Sequence, residues 1–405
     1  MSKVVIIGAS VAGMKLAQNL RSAGFLGSVT LVDAETNPLY DKPPLSKDYL
    51  SGESPPENIQ LTTEEELRAQ NVTVRFSTRA TAVDPATKTV ELHTGETLSY
   101  DTLVIATGAH ARRTPWASVT GVYVLRTRAD SDRLREELVP GRRLAVVGAG
   151  FIGAEAAATS LKAGMEVTII EPLEAPMGRA MNAQIGAIFA EKHRREGVDF
   201  HFGLSVENVE RVDGACRVTL TDGSILNVDA VLLGIGAVPN TEWLETSGVP
   251  IANGVLCEST LAVVGVPDIY AIGDVARYNH AQHPEPVRLE HWTNAVDQAL
   301  LVAHNIAHPD DQREYNPTEY VWSDQYDWKI QIVGNPGSEN ATIIGDPDDN
   351  RFGIVYGIDG RPVEGAVIVN WPRALIDARR SVAADTATDE LIGRLRASVP
   401  AKSTT

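Results

Sequence analysis

Cysteine is scarce in this chain. Cys216 and Cys257 are the only two in 405 residues. They make no disulfide framework and no C-x-x-C pair. No Cys/His cluster has metal-ligand spacing, so no metal site is assigned. No apolar run approaches the roughly 18 residues of a membrane span. A strand that begins at Lys3 leaves no room for a secretory leader, so a soluble, cytoplasmic protein is expected. Basic residues are short as well: 36 Lys and Arg face 53 Asp and Glu, for a net charge of −17. That balance argues against nucleic acid as a main partner, because phosphate binding needs a basic surface.

What the chain does have is length and repetition. Its 405 residues suggest two or three domains, and 43% hydrophobic residues suffice for their cores. Residues 4–13 read VVIIGASVAG and residues 144–153 read LAVVGAGFIG. Each is an apolar run that ends in a glycine-spaced turn. A helical stretch follows each, closed by Gly24 or Gly164, and then a second apolar run ends in Asp33 or Glu171. Strand, tight turn, helix, strand and terminal acid make a dinucleotide-binding fingerprint, where the glycine spacing alone is a weak signal. Gly8 and Gly148 allow the tight turn. Gly150 lets backbone approach a pyrophosphate, and Gly13 and Gly153 let helix pack on strand. The helix start offers unpaired N–H groups to phosphate. Ser10 stands where the second copy has Gly150.

Other stretches belong with these. YDTLVIATG (100–108) reads as a buried strand ending in Ala106-Thr107-Gly108. DIYAIGDVA (268–276) is another, ending in Gly273-Asp274. Asp274 either binds a sugar-like polyol or caps a following helix, and the stretch leaves both open. VLLGIGAVPN (231–240) is the counterpart in the second half, with Gly234 and Gly236. The fold class is α/β: two Rossmann-like dinucleotide-binding domains, the second inserted in the first, plus a C-terminal α+β domain with an antiparallel sheet. The expected boundaries are 1–110 and 239–320, 111–238, and 321–405. Alternating runs parted by Gly, Asn and Asp turns carry the last sheet. A helix is expected at NWPRALIDARRSVA with Pro372 in its first turn. The Ala-, Thr- and Ser-rich stretch 381–405 is expected to be loosely held.

The stretches YDKPPLSKDYLSG (40–52), VLRTRAD (124–130), GAGFIGAEAA (148–157), IYAIGDVA (269–276), RLEHWTNA (288–295) and VWSDQY (321–326) are more specific than the glycine motifs. With them the chain resembles, over nearly its whole length, the FAD-containing, NADH-dependent ferredoxin reductases of bacterial oxygenase systems. These are glutathione-reductase-like flavoproteins of the putidaredoxin-reductase type. The resemblance implies FAD in the first nucleotide domain, NADH in the second, and a C-terminal domain that covers the flavin ring. It assigns to FAD the residues Gly8, Ser10, Val11, Ala12, Gly13, Asp33, Glu35, Lys47, Ala80, Ala106, Thr107, Gly108, Arg126, Gly273, Asp274, Glu290, His291, Trp292 and Trp322. It assigns to NAD the residues Gly148, Gly150, Phe151, Ile152, Gly153, Glu155, Glu171, Arg179, Gly234 and Gly236.

The implied chemistry is hydride transfer from nicotinamide to flavin with water excluded. The resemblance puts Lys47 near the reacting edge of the flavin, on a segment stiffened by Pro43 and Pro44. An ammonium there stabilises negative charge that grows during reduction. It has Glu155 contact the nicotinamide and pair with that lysine. Arg126 resembles a flavin-contacting arginine. Glu290, His291 and Trp292 resemble the segment that passes the flavin pyrimidine edge, where a helix start favours negative charge. Trp322 resembles a tryptophan that lies close to the flavin ring. Lys47, Glu155 and Trp322 are the catalytic candidates.

Glu171 favours the free ribose hydroxyl of NADH over the phosphate of NADPH. Arg179 either softens that preference or is a surface charge. Disulfide reductases of this fold place a cysteine pair beside the flavin. Here YDKPPLSK fills that stretch, so electrons should leave the flavin directly and singly. The implied acceptor is a [2Fe–2S] ferredoxin, whose cluster belongs to the partner. Arg373, Arg379 and Arg380, with Lys329, concentrate positive charge and make a candidate docking patch on an otherwise acidic protein. The alternatives are an NADH oxidase using oxygen, and an apoptosis-inducing-factor-like flavoprotein acting through a charge-transfer complex and interactions. Monomer and dimer both stay open.

Overall fold

The two glycine-bearing runs each form the central strand of a parallel sheet. The computed structural model describes residues 2–178, 181–337 and 339–399. They group into two compact units. The first is built from the chain up to Lys42 together with Pro56–His110 and Ala237–Pro317. The second is built from Pro43–Pro55, Ala111–Gly236 and the chain from Thr318 onward.

In the first unit the strand Lys3–Ile7 is buried from Val4 to Ile7, as a β-branched run covered on both faces should be. It pairs in parallel with Ser28–Val32 on one side and Thr102–Ile105 on the other. Val72–Arg75 and Ile269–Ala271 complete the sheet at its two edges. The strand order therefore reverses at Lys3–Ile7, and Gly8 stands at the carboxyl end of this switch point, where such sheets bind ligands. The helix Val11–Ser22 follows. It buries Met14, Leu16, Ala17 and Leu20, and Gly24 turns the chain out with φ +82°. The helix Trp292–Ala307 packs along it.

The second unit repeats the plan. Arg143–Val147 is central, between Glu166–Glu171 and Ala230–Leu233, with Asp199–Phe202 and Val122–Val124 outermost. The helix Phe151–Lys162 runs from the glycine turn. The C-terminal sheet has the order Tyr320–Gln325, Trp328–Gly334, Gly365–Val369, Arg351–Tyr356 and Ala341–Asp346, every neighbour antiparallel. The helix Pro372–Ala383 covers it and starts on Pro372, as the sequence predicts.

Two features depart from the sequence reading. Residues 388–398 are not loosely held. They form the helix Thr388–Ser398, whose Leu391, Ile392 and Leu395 are buried in one cluster with Val355, Ile368 and Trp371. The small residues of the stretch mask this: three apolar side chains at helical spacing are enough for one buried face. Residues 400–405 lie outside the described residues. The second feature is the grouping of 43–55 with the second unit. Thr159 Oγ1 donates to the Ser46 carbonyl at 2.7 Å, and Ser131 Oγ to the Leu45 carbonyl at 2.9 Å. The Arg135 guanidinium lies 4.4 Å from the centre of the Tyr49 ring and also holds the Tyr49 carbonyl.

Candidate functional site

The two glycine turns share one geometry. Gly8 has φ +107° and Gly148 φ +98°, conformations that exclude other residues. A Cβ on Gly8 would overlap the carbonyl oxygen of Ala106, and one on Gly148 would stand 2.6 Å from that of Gly234. Cβ atoms on Gly13 and Gly153 would overlap the carbonyls of Gly8 and Gly148 in the same way. Ser10 and Gly150 begin the helices with φ −68° and −72°, and neither caps its helix through a side chain. Among the described residues, nothing beyond the immediate chain neighbours lies within 4 Å of where a Cβ of Gly150 would stand. The helix start at Gly150 thus faces an uncrowded space, which suits a pyrophosphate, and the start at Ser10 has the same backbone conformation. Val11 and Ala12 form the first turn of one helix, Phe151 and the exposed Ile152 that of the other.

The terminal acids brace these turns. Asp33 accepts from the Ala9 N–H at 2.6 Å and from the Glu35 N–H at 2.7 Å, one on each oxygen. Glu171 repeats this with Ala149 at 2.7 Å and Leu173 at 3.0 Å. Burial pushes the Asp33 carboxyl above its ordinary pKa, against the pull of its two backbone donors. Each carboxylate oxygen keeps a lone pair for a ribose hydroxyl. Glu35 is held by the Tyr40 hydroxyl at 2.8 Å, with Lys42 at 3.7 Å. Ala80 is buried at the start of the strand Ala80–Asp84.

Sequence reading missed Asn240. Its side-chain amide donates to the Thr107 carbonyl at 2.7 Å, its carbonyl accepts from Thr107 Oγ1 at 2.8 Å, and its N–H meets the Gly108 carbonyl at 2.9 Å. Asn240, the last residue of VLLGIGAVPN, thus bonds both Thr107 and Gly108 of the turn Ala106-Thr107-Gly108. Gly236 lies exposed in the same run with φ +96°. Gly273 has φ +74°, its N–H goes to Gln298 Oε1 at 2.7 Å, and its missing Cβ makes room for Ala12. Asp274 lies in a short 3₁₀ turn, so no long helix follows it to be capped. Glu290 is exposed and pairs with Arg288. His291 occupies the N-cap position of the helix Trp292–Ala307, and Trp292 Nε1 donates to Asp41 Oδ1 at 2.8 Å.

A buried polar cluster lies in the second unit. Glu155, one turn into the helix Phe151–Lys162, is only 3% exposed. Lys47 Nζ lies 2.8 Å from its Oε2 and also donates to the Pro43 carbonyl at 3.1 Å. Ser46 Oγ donates to the same Oε2 at 2.5 Å, and Ser323 Oγ donates to Oε1 at 2.7 Å. A buried carboxylate needs this many donors to remain charged. Ser46 and Ser323 stand beside residues that the sequence reading chose, but a serine in a motif gives no signal of its partner. Trp322 precedes Ser323 on the strand Tyr320–Gln325, is half-buried, and stacks on Tyr320 with ring centres 6.2 Å apart. Arg126 is half-buried just before the helix Arg128–Arg135, whose capping box is Thr127 with Asp130. Arg179 lies outside the described residues.

Arg373, Arg379 and Arg380 are exposed on the helix Pro372–Ala383, with Ile376 exposed among them. Arg379 lies over the Tyr320 ring at 4.9 Å, and Lys329 is exposed on the adjoining sheet. Both cysteines are buried and free, and burial pushes the Cys257 thiol up to about 12. Cys257 is therefore not suited to attack a disulfide at neutral pH. No helix among the described residues is long and apolar enough to cross a membrane.

Two Rossmann-like sheets with matched glycine turns and braced acids define an oxidoreductase that handles two dinucleotides. The pyridine nucleotide-disulphide oxidoreductase family model matches residues 2–299, and the reductase C-terminal model matches residues 320–392. Rhodocoxin reductase of Rhodococcus erythropolis is 35% identical over 388 residues, covering 94% of this chain and 90% of that protein. A ferredoxin reductase from Rhodopseudomonas palustris has a TM-score of 0.92 at 31% identity, over 98% of this chain and 100% of that one. The reductase in a covalent putidaredoxin reductase–putidaredoxin complex gives 0.88 at 31%, over 98% and 99%. The chain belongs to the pyridine nucleotide-disulphide oxidoreductase family, and within it to the FAD-dependent ferredoxin reductases. The disulphide of the family name has no counterpart here, since the chain has only Cys216 and Cys257.

Proposed function

We propose that this chain is an NADH-dependent ferredoxin reductase that feeds a dioxygenase or haem monooxygenase from the cytoplasm. The observation that carries this reading is the Lys47–Glu155 pair, fixed by Ser46 and Ser323, in a chain with no cysteine pair to take electrons. FAD would be held by the first glycine turn, with Ser10 and the first helix N-terminus toward its pyrophosphate and with Asp33 and Glu35 toward its ribose. NADH is held by the second turn, from Gly148 to Gly153, with Glu171 at its ribose. FAD bound there would supply the two-electron to one-electron chemistry that links a hydride donor to a one-electron acceptor.

The chain's own residues prepare for that exchange. Lys47 supplies a fixed positive charge where negative charge develops, in a site where water does not screen it. Glu155 holds the ammonium in place and offers its carboxylate edge to the nicotinamide amide. Trp322 excludes water with a broad apolar face. Arg373, Arg379, Arg380 and Lys329 steer an acidic [2Fe–2S] ferredoxin.

The test is steady-state oxidation of NADH by the purified yellow protein, with its flavin identified after release. NADH consumption that depends on added [2Fe–2S] ferredoxin and continues without oxygen supports the reading. Consumption that stops without oxygen, whatever ferredoxin is present, means an oxidase instead.

A further inference from the structure

A line of buried polar side chains leads away from Glu155 within the second unit. Ser323 and Gln325 alternate with Trp322 and Asp324 along one strand, so they share the sheet face opposite Trp322. Ser323 Oγ is 2.7 Å from Glu155 Oε1, and Gln325 Nε2 is 3.1 Å from Ser323 Oγ. Gln325 Oε1 is 2.9 Å from His193 Nε2, and His193 Nδ1 is 2.8 Å from the Tyr326 hydroxyl. Glu155, Ser323, Gln325 and His193 are all at most 3% exposed.

The direction of every bond follows from the Glu155 end. A carboxylate only accepts, so the Ser323 hydroxyl must donate to it. Ser323 then accepts from the Gln325 amide nitrogen, whose second proton points at Met177 Sδ, 3.9 Å away. The Gln325 oxygen is left facing His193, so Nε2 carries the ring proton. Nδ1 is then an acceptor, and the Tyr326 hydroxyl donates to it. Four donors in series thus point toward one carboxylate oxygen, while Ser46 and Lys47 point toward the other. Such a chain polarises link by link. It requires a neutral imidazole, and burial lowers the His193 pKa to about 4.

We propose that His193 is a positioning residue for Glu155: acting through Gln325 and Ser323, it keeps the Glu155 carboxylate charged and oriented beside Lys47. The proposal rests on the reading that Glu155 and Lys47 serve hydride transfer. Lys47 is the charged group that meets Glu155 directly. Around His193 the charges are Lys192 and Glu196 of its own helix. Lys192 in turn pairs with Glu196 at 2.8 Å and with Asp327 at 2.6 Å. From the strand Asp199–Phe202, Phe200 meets the imidazole edge-on at 6.0 Å, and the charge beyond it is Arg194, stacked on that ring.

The test uses the oxidised holoenzyme, carboxyl-labelled at glutamate, with the Glu155 resonance identified by its loss in Glu155→Gln. His193→Phe keeps an aromatic ring against Phe200 and removes both nitrogens. His193→Gln returns a donor toward Gln325. The Glu155 titration midpoint should rise by about half a unit to one unit in His193→Phe, because the Ser323 hydroxyl becomes a less polarised donor to the charged form. It should return toward the wild-type value in His193→Gln. Flavin reduction by NADH should slow about three- to tenfold in the first variant and recover in the second. Phe200→Leu alters packing against the ring without removing any of its hydrogen bonds and should leave the midpoint in place. An unchanged Glu155 midpoint in folded His193→Phe overturns the proposal, as does an equal shift in Phe200→Leu. Failure of the functional reading is separable: NADH then leaves the wild-type flavin oxidised, while the midpoint, read without NADH, still shifts.

Discussion

Ser10 and Gly150 hold one backbone conformation, φ −68° and ψ −170° against φ −72° and ψ −179°. At this place in the turn a glycine is therefore not required for backbone freedom, and the first turn carries a serine without strain. The demanding position is Gly8, where φ is +107° and a Cβ would overlap Ala106. Ser10→Gly is expected to leave the ratio of flavin to protein absorbance unchanged. Gly8→Ala is expected to lose flavin and to unfold at lower temperature. Loss of flavin in Ser10→Gly would contradict this account of the turn.

His193 makes stability depend on pH. Its pKa is about 4 in the folded chain against 6.5 unfolded, so below pH 6.5 the unfolded state binds a proton that the folded state refuses. The contribution is fully present above pH 6.5 and is lost as pH falls toward 4. Complete loss amounts to about 3 kcal/mol, at 1.36 kcal/mol per pKa unit. Denaturant midpoints measured from pH 7 down to pH 4 should fall less steeply for His193→Gln than for the parent. Parallel curves would remove His193 from the acid response.

Glu171 braces the second glycine turn, and the proposed function gives it a second task, selecting the donor at its ribose. NADH should exceed NADPH in kcat/KM. Glu171→Gln keeps one amide oxygen for the brace, removes the charge, and should narrow that ratio about tenfold, chiefly through KM. Equal kcat/KM for both donors in the parent enzyme would show that Glu171 does not select.

Arg379 and Arg380 are exposed on the helix Pro372–Ala383, and the chain as a whole is strongly acidic. Replacing both with Glu should raise the KM for an acidic [2Fe–2S] ferredoxin about tenfold and flatten its salt dependence. Reduction of ferricyanide, which needs no docking, should be unaffected. If both acceptors behave as before, the docking patch lies elsewhere.

The glycine turns, the acids Asp33 and Glu171 and the helix at Pro372 are legible in the sequence because each is written locally. A turn needs its glycine at one fixed spacing, and a helix accepts proline only in its first turn. Ser46, Ser323, Gln325 and Asn240 are not legible. Their partners lie far along the chain: Ser46 meets Glu155, and Asn240 holds Thr107. Only folding brings such groups together, and a lone serine or asparagine looks like any surface residue. The helix Thr388–Ser398 shows a subtler failure, since its three core residues sit in a composition that otherwise reads as a tail.

The most direct test of the reductase reading is rapid mixing of the oxidised holoenzyme with NADH in the absence of oxygen, followed by mixing with a [2Fe–2S] ferredoxin. The account predicts flavin bleaching within milliseconds and prompt onward reduction of the ferredoxin. Lys47→Met should slow the first step on the order of a hundredfold while retaining its flavin. Slow bleaching, a lasting long-wavelength band and little ferredoxin reduction would contradict it. Lys47 and Glu155 would then hold a stable complex in place of passing electrons onward.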